Sequence, residues 1–281
     1  MFKTLIDSTT VSEHLSDPDW VIVDCRFDLS DPSRGEQMYV ESHIPGARYA
    51  HLDRDLSGTK TGTNGRHPLP TPAQMTDRFG AMGISPDVQV VAYDADSGMY
   101  AARLWWMLRF MGHERVAVLD GGFAAWVRAG HDVRGGTETW SPATFLGQPK
   151  ENWRVTVDDI TEQLGDNRRV LIDARAPARY RGESEPLDRV AGHIPGAKNR
   201  FFQDNLTDDK TFKTAATLRA EWQNALEGVP AQNVVVYCGS GVTACHDLLA
   251  LEHAGLPGAR LYPGSWSEYC ADPGRPVETT S

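Results

Sequence analysis

The sequence predicts an α/β protein made of two tandem domains, each with a mainly parallel sheet flanked by helices. Three observations support this prediction. The chain has 281 residues, of which 40% are hydrophobic and 23% charged, so it is long enough to form two packed cores. Short apolar segments with the composition of buried strands alternate with segments of helical periodicity. The second half of the chain then repeats the first.

The first half begins this alternation. Its apolar segments, which we interpret as buried strands, lie at residues 21–24, 88–93 and 116–119. A rigid His-Ile-Pro-Gly-Ala turn at 43–47 follows the first strand. Thr71 and Pro72 predict the start of a helix, because threonine is a good N-cap and proline is favoured at the first helical position.

The second half contains the same features in the same order. Its apolar segments lie at residues 170–173, 234–237 and 260–262, and the His-Ile-Pro-Gly-Ala turn returns at 193–197. Asp24 and Asp173 match each other at the ends of the first strands. Because the offset is about half the chain, the pattern indicates a duplicated domain rather than a short-period solenoid.

The repeat also predicts the domain boundaries. We expect domains at residues 1–135 and 153–281. The segment 136–152 is rich in proline, glycine and threonine, which is typical of a linker.

Charge and cysteine content restrict the possible functions. The chain has 28 Lys and Arg against 38 Asp and Glu, and a net charge of −10 argues against general binding to nucleic acid or to an anionic membrane. The four cysteines (Cys25, Cys238, Cys245 and Cys270) form no pair or cluster with the spacing of a zinc site. We therefore expect no disulfide scaffold, no metal, no cofactor and no membrane-spanning segment, and a reducing, cytoplasmic environment.

The most informative stretch is residues 234–244, Val-Val-Val-Tyr-Cys-Gly-Ser-Gly-Val-Thr-Ala. It predicts a buried strand, a tight loop and the start of a helix. In open α/β sheets, ligands bind beyond the carboxyl ends of the strands, where backbone N–H groups and the helix dipole favour an anion. Cys238 lies at this point, so we expect the reactive thiolate form to be favoured. The alternative is a cysteine that only packs in the core. The two glycines near Cys238 favour a reactive role, because they allow close approach of the backbone.

The matching loop of the first half, residues 94–98, has a different composition. It reads Asp-Ala-Asp-Ser-Gly, with two carboxylates and no thiol. The carboxylates would repel an anionic substrate, and none of these side chains can act as a sulfur nucleophile. We therefore predict that the first domain is catalytically silent. Cys25 matches Ala174 in the repeat, which indicates that Cys25 occupies a scaffold position. For Cys245, on the predicted helix after the loop, we favour packing over a role as a resolving thiol.

Together these features resemble the tandem-domain rhodanese sulfurtransferases. The resemblance rests on the loop at 238–244, the doubled Asp-x-Arg and His-Ile-Pro-Gly-Ala pattern, and Gly-Ser-Trp-Ser-Glu at 264–268, and it covers nearly the whole chain. It implies a silent rhodanese-like domain followed by an active one. In such enzymes a thiolate, here Cys238, takes a sulfane sulfur from a donor as a persulfide and passes it to a second nucleophile.

The loop composition bears on the donor. Loops that accept thiosulfate in this family resemble Cys-Arg-Lys-Gly-Val-Thr, whereas the cationic pair is replaced here by Gly239 and Ser240. The Cys-Gly-Ser-Gly-Val-Thr form resembles the 3-mercaptopyruvate sulfurtransferases. That resemblance implies a relay in which Ser240 pairs with His67 and Asp53 of the first domain and manages the proton as the C–S bond breaks.

The carboxylate of such a donor requires a cationic partner. The resemblance assigns Arg179 to this role, since a guanidinium group can bind a carboxylate through two hydrogen bonds. A second arginine normally follows a Glu-Pro pair, but here Leu187 follows Glu185-Pro186, and we expect Arg189 to substitute through a shifted loop. The other predicted substrate-binding residues supply loop N–H groups around the sulfur, and they are Gly239, Gly241, Val242 and Thr243.

Three other functions are compatible with parts of this pattern. A thiosulfate:cyanide sulfurtransferase is the main alternative, and a non-enzymatic sulfur carrier is disfavoured by the intact loop around Cys238. A phosphatase of the same fold needs arginine six residues after the cysteine, and Ala244 stands there. The expected partners are a small-molecule sulfur donor and an acceptor that is a thiol, such as thioredoxin or a small thiol, or cyanide.

Overall fold

The computed structural model describes residues 1–162, 164–165 and 169–280. The chain divides into two compact units that do not follow a single cut in the sequence. The first unit comprises residues 1–58, 70–150 and 208–212. The second unit comprises residues 59–69, 151–207 and 213–281, so a short segment from the first half of the sequence belongs to it.

Short parallel strands and helices alternate in the first unit. Its strands are β1 (Leu5–Ile6), β2 (Trp20–Asp24), β3 (Arg48–Tyr49), β4 (Gln89–Tyr93) and β5 (Val116–Leu119). Its helices are α1 (Ser8–Glu13), α2 (Arg34–Glu41), α3 (Pro72–Ala81), α4 (Ala101–Phe110) and α5 (Gly122–Arg128). The predicted cap of α3 is confirmed, because the Thr71 side chain accepts a hydrogen bond from the main-chain N–H of Gln74 and Pro72 is the first helical residue.

The sheet of the first unit has the order β1-β5-β4-β2-β3 among the described residues, and its strand pairs are parallel. Strand β4 lies near the middle and is buried along its whole length. A parallel sheet with helices on its faces is buried on both sides, which explains the continuous apolar runs in the sequence.

The second unit has the same alternation. Its strands are β6 (Val170–Asp173), β7 (Lys198–Asn199), β8 (Val234–Tyr237) and β9 (Arg260–Leu261). Its helices are α6 (Val157–Thr161), α7 (Pro177–Arg181), α8 (Ala215–Leu226), α9 (Ala244–His253) and α10 (Ser265–Tyr269), with 3-10 turns at Glu151–Trp153, Phe202–Asn205 and Ala231–Asn233. The described strands have the order β7-β6-β8-β9, again parallel. The predicted α/β fold with parallel sheets is confirmed in both units.

The repeated sequence motifs form the same contacts in each unit. In the first unit, Nη2 of Arg26 binds Oδ2 of Asp24 at 2.6 Å, and in the second, Nη2 of Arg175 binds Oδ2 of Asp173 at 2.6 Å. These four side chains are buried, so the Asp-x-Arg motif is a buried ion pair that holds the end of a strand. This agrees with the interpretation of Arg175 as scaffold.

The histidine of the repeated turn is also structural. Nδ1 of His43 lies 2.7 Å from the carbonyl oxygen of Tyr39, and Nδ1 of His193 lies 2.7 Å from that of Tyr180. Each imidazole stacks on the ring of the same tyrosine. The turn therefore fixes a helix end to the sheet in each unit. Over the described part of the chain, no helix has both the length and the apolar character needed to cross a membrane.

Candidate active site

Cys238 lies at the carboxyl end of β8, between β6 and β9 in the sheet of the second unit. Its side chain is buried, and helix α9 begins at Ala244 with Thr243 as the N-cap residue. The main-chain N–H of Gly241 donates a hydrogen bond to Sγ of Cys238 at 3.1 Å. This is the kind of contact that stabilises a thiolate, and it lies where the sequence places the reactive sulfur.

Ser265 supports the cysteine from β9 and α10. Its hydroxyl accepts a hydrogen bond from the main-chain N–H of Cys238 at 3.0 Å and donates one to the carbonyl oxygen of Tyr262 at 2.9 Å. Ser265 adopts a φ of 56°, which is unfavourable for a residue with a side chain. Its counterpart in the first unit is Gly122, also at 56°. The strained backbone at Ser265 thus places its hydroxyl where it holds the main chain of Cys238.

The two glycines of the loop serve different purposes. Gly241 has a φ of 76°, and a Cβ there would lie 2.2 Å from the carbonyl oxygen of Pro263, so only glycine fits. Gly239 does not adopt a positive φ. A Cβ on Gly239 would instead lie 2.8 Å from Nη2 of Arg66 and 3.4 Å from Nη1 of Arg179. The missing side chain at 239 thus leaves room for two guanidinium groups beside the loop.

The predicted pair of Ser240 and His67 is present in the structure. Oγ of Ser240 lies 2.8 Å from Nδ1 of His67, and both side chains are buried. His67 belongs to segment 59–69, which is part of the second unit. Contacts of the preceding residues also hold this segment: the main-chain N–H of Arg66 donates to Oγ of Ser267 at 3.0 Å, and Gly65 packs closely on Gly264. The Ser240 hydroxyl, two residues after Cys238 in the sequence, therefore has a buried imidazole partner.

Asp53, the predicted acid of the relay, lies in the first unit. Its main-chain N–H donates to Nδ1 of His51 at 3.1 Å. Its assignment to the relay remains a prediction.

Arg179 is held beside the loop by two acids that the sequence analysis did not assign to the site. Its Nε and Nη2 bind the two carboxylate oxygens of Glu185 at 3.1 and 2.6 Å, and Nη2 lies 3.2 Å from Oδ2 of Asp188. Burial of Glu185 raises the pKa of its carboxyl, but the hydrogen bonds and charges of Arg179 and Arg175 and the Leu187 N–H outweigh this, and the net pKa is lowered. Glu185 is therefore an anion that orients Arg179.

Arg66 is a second arginine at the loop, and the sequence analysis did not identify it. Its Nη1 forms an ion pair with Oδ1 of Asp188. Arg189, the residue expected in this position, is exposed, and no ion pair of its side chain is found among the described residues. The role of Arg189 remains a prediction, whereas the guanidinium group of Arg66 lies beside Gly239 together with that of Arg179. The clue available in the sequence is only that Arg66 precedes His67.

Val242 and Thr243 complete the predicted loop. Val242 is buried, and its carbonyl oxygen accepts a hydrogen bond from the N–H of Cys245 at 3.0 Å. The thiol of Cys245 is buried and donates to the carbonyl oxygen of Gly241 at 3.3 Å. This contact with the back of the loop favours a packing role for Cys245. Cys25 is also buried, and burial together with the charges of Asp24, Asp94 and Asp55 raises the pKa of its thiol.

In the matching loop of the first unit, the carboxylate of Asp94 occupies the backbone N–H groups. Asp94 follows β4 as Cys238 follows β8, and it accepts hydrogen bonds from the N–H groups of Gly98, Tyr100 and Ala101 at 2.9, 2.7 and 3.1 Å. Burial raises the pKa of the Asp94 carboxyl, and these N–H groups partly offset the rise. The donors at the start of α4 are therefore already used within the chain, which supports the prediction of a silent first domain.

Comparison with known proteins identifies the family. The model of the Rhodanese-like domain matches residues 7–129 and 156–272. A Pseudomonas aeruginosa protein described as "Probable 3-mercaptopyruvate sulfurtransferase" is 48% identical over 277 residues, which cover 98% of each chain. The "Thiosulfate sulfurtransferase" of Cricetulus griseus is 34% identical over 96% of this chain and 92% of its own length.

A similar solved structure supports the same family assignment through its fold. The "3-mercaptopyruvate sulfurtransferase from Leishmania major" aligns with a TM-score of 0.84 and 32% sequence identity, covering 95% of this chain and 74% of that one. The two regions matched by the family model lie in the two halves of the chain. The chain thus belongs to the rhodanese family and is a sulfurtransferase built from two rhodanese-like domains.

Proposed function

We propose that this enzyme transfers a sulfane sulfur from 3-mercaptopyruvate to a thiol or to cyanide through a persulfide on Cys238. The observation that carries the proposal is the 2.8 Å contact between Ser240 and His67, in a loop whose own side chains carry no cation. A hydroxyl with a buried imidazole partner is suited to moving a proton, whereas a dianion such as thiosulfate needs mainly positive charge.

The first half-reaction moves sulfur and breaks a C–S bond. The Cys238 thiolate attacks the sulfur of 3-mercaptopyruvate, an S–S bond forms, and the electron pair of the broken C–S bond passes to carbon as the enolate of pyruvate. The Ser240 hydroxyl, oriented by His67, delivers the proton that converts the enolate to pyruvate. Asp53 is proposed as the acid that orients His67, by analogy with serine–histidine–aspartate relays.

The second half-reaction regenerates the thiolate. An acceptor nucleophile attacks the outer sulfur of the persulfide, the S–S bond breaks, and the electron pair returns to Sγ of Cys238. The N–H of Gly241, at 3.1 Å from Sγ, stabilises the leaving thiolate. We propose thioredoxin, a small thiol or cyanide as the acceptor, in the reducing environment of the cytoplasm, without a role for nucleic acid or membrane.

Thiosulfate is the second candidate donor, because two guanidinium groups lie beside Gly239. Neither is placed on the loop itself, and both are already paired with acids, which lowers their attraction for a dianion. We therefore expect 3-mercaptopyruvate to have the higher kcat/KM.

The test compares the two donors with one acceptor. With cyanide as the acceptor in both assays, thiocyanate formation from 3-mercaptopyruvate is measured beside thiocyanate formation from thiosulfate, and pyruvate release is followed in the first assay. A higher kcat/KM for 3-mercaptopyruvate supports the proposal. A clear preference for thiosulfate overturns it and assigns the enzyme to the second donor.

A further inference from the structure

A buried polar cluster includes the first turn of α9 in the second unit. Asp247 is the fourth residue of this helix, and its side chain is fully buried. Nδ2 of Asn205 donates a hydrogen bond to Oδ1 of Asp247 at 2.7 Å, whereas Oδ2 of Asp247 has no hydrogen-bond partner among the described residues. Oδ1 of Asn205 accepts hydrogen bonds from Nε1 of Trp222 at 3.2 Å and from Nη2 of Arg200 at 3.1 Å. A charged Asp247 would therefore be buried with one neutral donor, which is costly.

The first unit has apolar residues at the three matching positions of this cluster. The matches follow from landmarks that both units share: the end of the first strand of the repeat, the N-cap of α3 or α8, and the first residue of α4 or α9. The residues are Leu56, Phe79 and Leu104 in the first unit, and Asn205, Trp222 and Asp247 in the second. The three apolar side chains are fully buried. The scaffold can thus pack without a polar cluster here, and what the cluster adds to the second unit is a titratable group.

The charges around Asp247 decide when it ionises. Burial has the largest effect and raises the pKa of the Asp247 carboxyl to about 8, although the charge of Arg200 and the hydrogen bond from Asn205 act in the opposite direction. Nη2 of Arg200 also pairs with Glu221 at 3.1 Å, which divides its attraction. The titratable and charged groups around the cluster are Asp173 of β6, Arg200 after β7, Asp204 of the 3-10 turn, Lys213 before α8, Glu221 of α8 and His246 of α9. Asp247 therefore carries a proton at neutral pH and loses it on the alkaline side.

The place of Asp247 in the helix relates its charge to the reactive loop. The loop after Cys238 leads directly into α9, and Asp247 is the acidic residue of the first turn. The positive end of a helix dipole acts within about one turn and favours an anion there. Sγ of Cys238 lies at this end and accepts a hydrogen bond from the N–H of Gly241 at 3.1 Å. A carboxylate at Asp247 would compete with the Cys238 thiolate for this field and would repel an anionic donor.

We propose, building on the function proposed above, that Asp247 is held as a neutral acid so that the positive end of α9 stays available to the Cys238 thiolate and to an anionic donor. When Asp247 loses its proton, its carboxylate opposes both, and sulfur transfer slows. Asp247 makes and breaks no bond in the reaction and acts through its charge alone, so it is a positioning residue. Leu104, at the matching place in the first unit, cannot carry this charge.

The first test measures the potential at Cys238 without any sulfur donor. Cys238 is alkylated with iodoacetate, which is an anion, and with neutral iodoacetamide, and the product is identified by peptide mass. The ratio of the two rates cancels the thiolate fraction, because both reagents react with the same thiolate. Between about pH 6 and about pH 10, we expect this ratio to fall about five- to thirty-fold more in the wild type than in Asp247→Asn. A fall of equal size in both proteins overturns the proposal.

Two controls separate the charge of Asp247 from its structural contacts. Asp204→Asn removes an exposed acid that also faces Asp247, and it should keep the wild-type fall in the ratio. If Asp204→Asn abolishes the fall instead, the charge belongs to Asp204 and the proposal is wrong. The double variant Asn205→Leu/Asp247→Leu rebuilds the pair of the first unit, so it should resist urea as well as the wild type and give the ratio of Asp247→Asn. A folded double variant that shows the wild-type fall overturns the proposal, and Asp247→Asn decides alone where the double variant does not fold.

Turnover keeps this inference separate from the choice of donor. Below about pH 6, kcat/KM for 3-mercaptopyruvate should be equal in the wild type and Asp247→Asn, and near pH 10 the variant should be faster by about five- to thirty-fold. Thiosulfate is also an anion, so the two proteins should diverge with this donor as well. A preference for thiosulfate overturns only the proposed donor. Parallel pH profiles of the two proteins with both donors overturn the role of Asp247, even where 3-mercaptopyruvate is the better donor.

Discussion

Gly239→Ala tests whether the absence of a side chain at position 239 leaves the space that the guanidinium groups of Arg66 and Arg179 occupy. The backbone of Gly239 lies outside the positive-φ region, so alanine can adopt its conformation. The new Cβ would stand 2.8 Å from Nη2 of Arg66, where an ordinary contact begins at 3.4 Å. Nη2 must therefore withdraw by about 0.6 Å, whereas Arg179, already at 3.4 Å, can remain in place.

We expect the donor carboxylate to lie beside Gly239, within reach of both Arg66 and Arg179, so the magnitude follows from losing one of two charge-assisted contacts. Complete loss of such a contact costs about 1.5–3 kcal/mol, and the long side chain of Arg66 can reorient, so we expect the lower end. About 1.5 kcal/mol corresponds to roughly a ten-fold rise in KM for 3-mercaptopyruvate. Because the alanine methyl group leaves Ser240, His67 and the Gly241 N–H unchanged, kcat should stay within about two- to three-fold.

The assay is steady-state pyruvate release from 3-mercaptopyruvate, with unfolding in urea as the check on stability. Gly241→Ala is the matched control, because its Cβ would meet the carbonyl oxygen of Pro263 at 2.2 Å and the φ of 76° would be strained. That variant should lose activity with any donor and lose stability as well. Equal KM values for wild type and Gly239→Ala, or an equal loss of kcat in the two glycine variants, would refute the reasoning.

Three further predictions concern other parts of the second unit. Cys238→Ser should abolish transfer, and donor treatment without acceptor should add one sulfur atom to Cys238 in the wild type, whereas a folded but inactive Cys245→Ser would contradict this assignment. His67→Ala should slow pyruvate formation but not the transfer of a preformed persulfide to a thiol, as measured in single turnovers; equal slowing of both steps would speak against a proton-transfer role. Burial raises the pKa of Asp247 to about 8 from 3.8, so the folded state binds a proton that the unfolded chain has lost. Stability should therefore fall as pH rises from about 4 to 8, and Asp247→Asn, which keeps an acceptor for Asn205, should flatten this dependence in urea unfolding.

Much of the fold could be predicted from the sequence because the patterns that indicate it lie within short segments and occur in both halves of the chain. Apolar runs with the length of buried strands, alternating with helical segments, predict a parallel sheet. The duplicated motifs then show which residues are scaffold, as with Cys25 and Ala174. Ser240 and His67 were predicted through the resemblance and lie 2.8 Å apart.

The remaining site residues depend on packing that no local pattern reveals. Arg66 and Asp188 are 122 positions apart in the sequence, and their pairing exists only because segment 59–69 belongs to the second unit. Ser265 adopts a φ at which glycine is expected, so residue type gives no indication of its conformation. Comparison with the first half could have indicated the positive φ of Ser265, because the repeat places Gly122 at the matching position.

The two loops give a physical reason to expect activity in the second unit and none in the first. Both follow a central parallel strand and lead into a helix, and in both the backbone N–H groups face the residue at the end of the strand. In the first unit that residue is Asp94, whose carboxylate takes the N–H groups of Gly98, Tyr100 and Ala101. The loop there is also one residue longer, since α4 begins seven residues after Asp94 and α9 six after Cys238. We therefore expect activity to require a thiol in the shorter loop as well as the shared strand and helix, and we expect that a cysteine placed at position 94 would not meet the same donors.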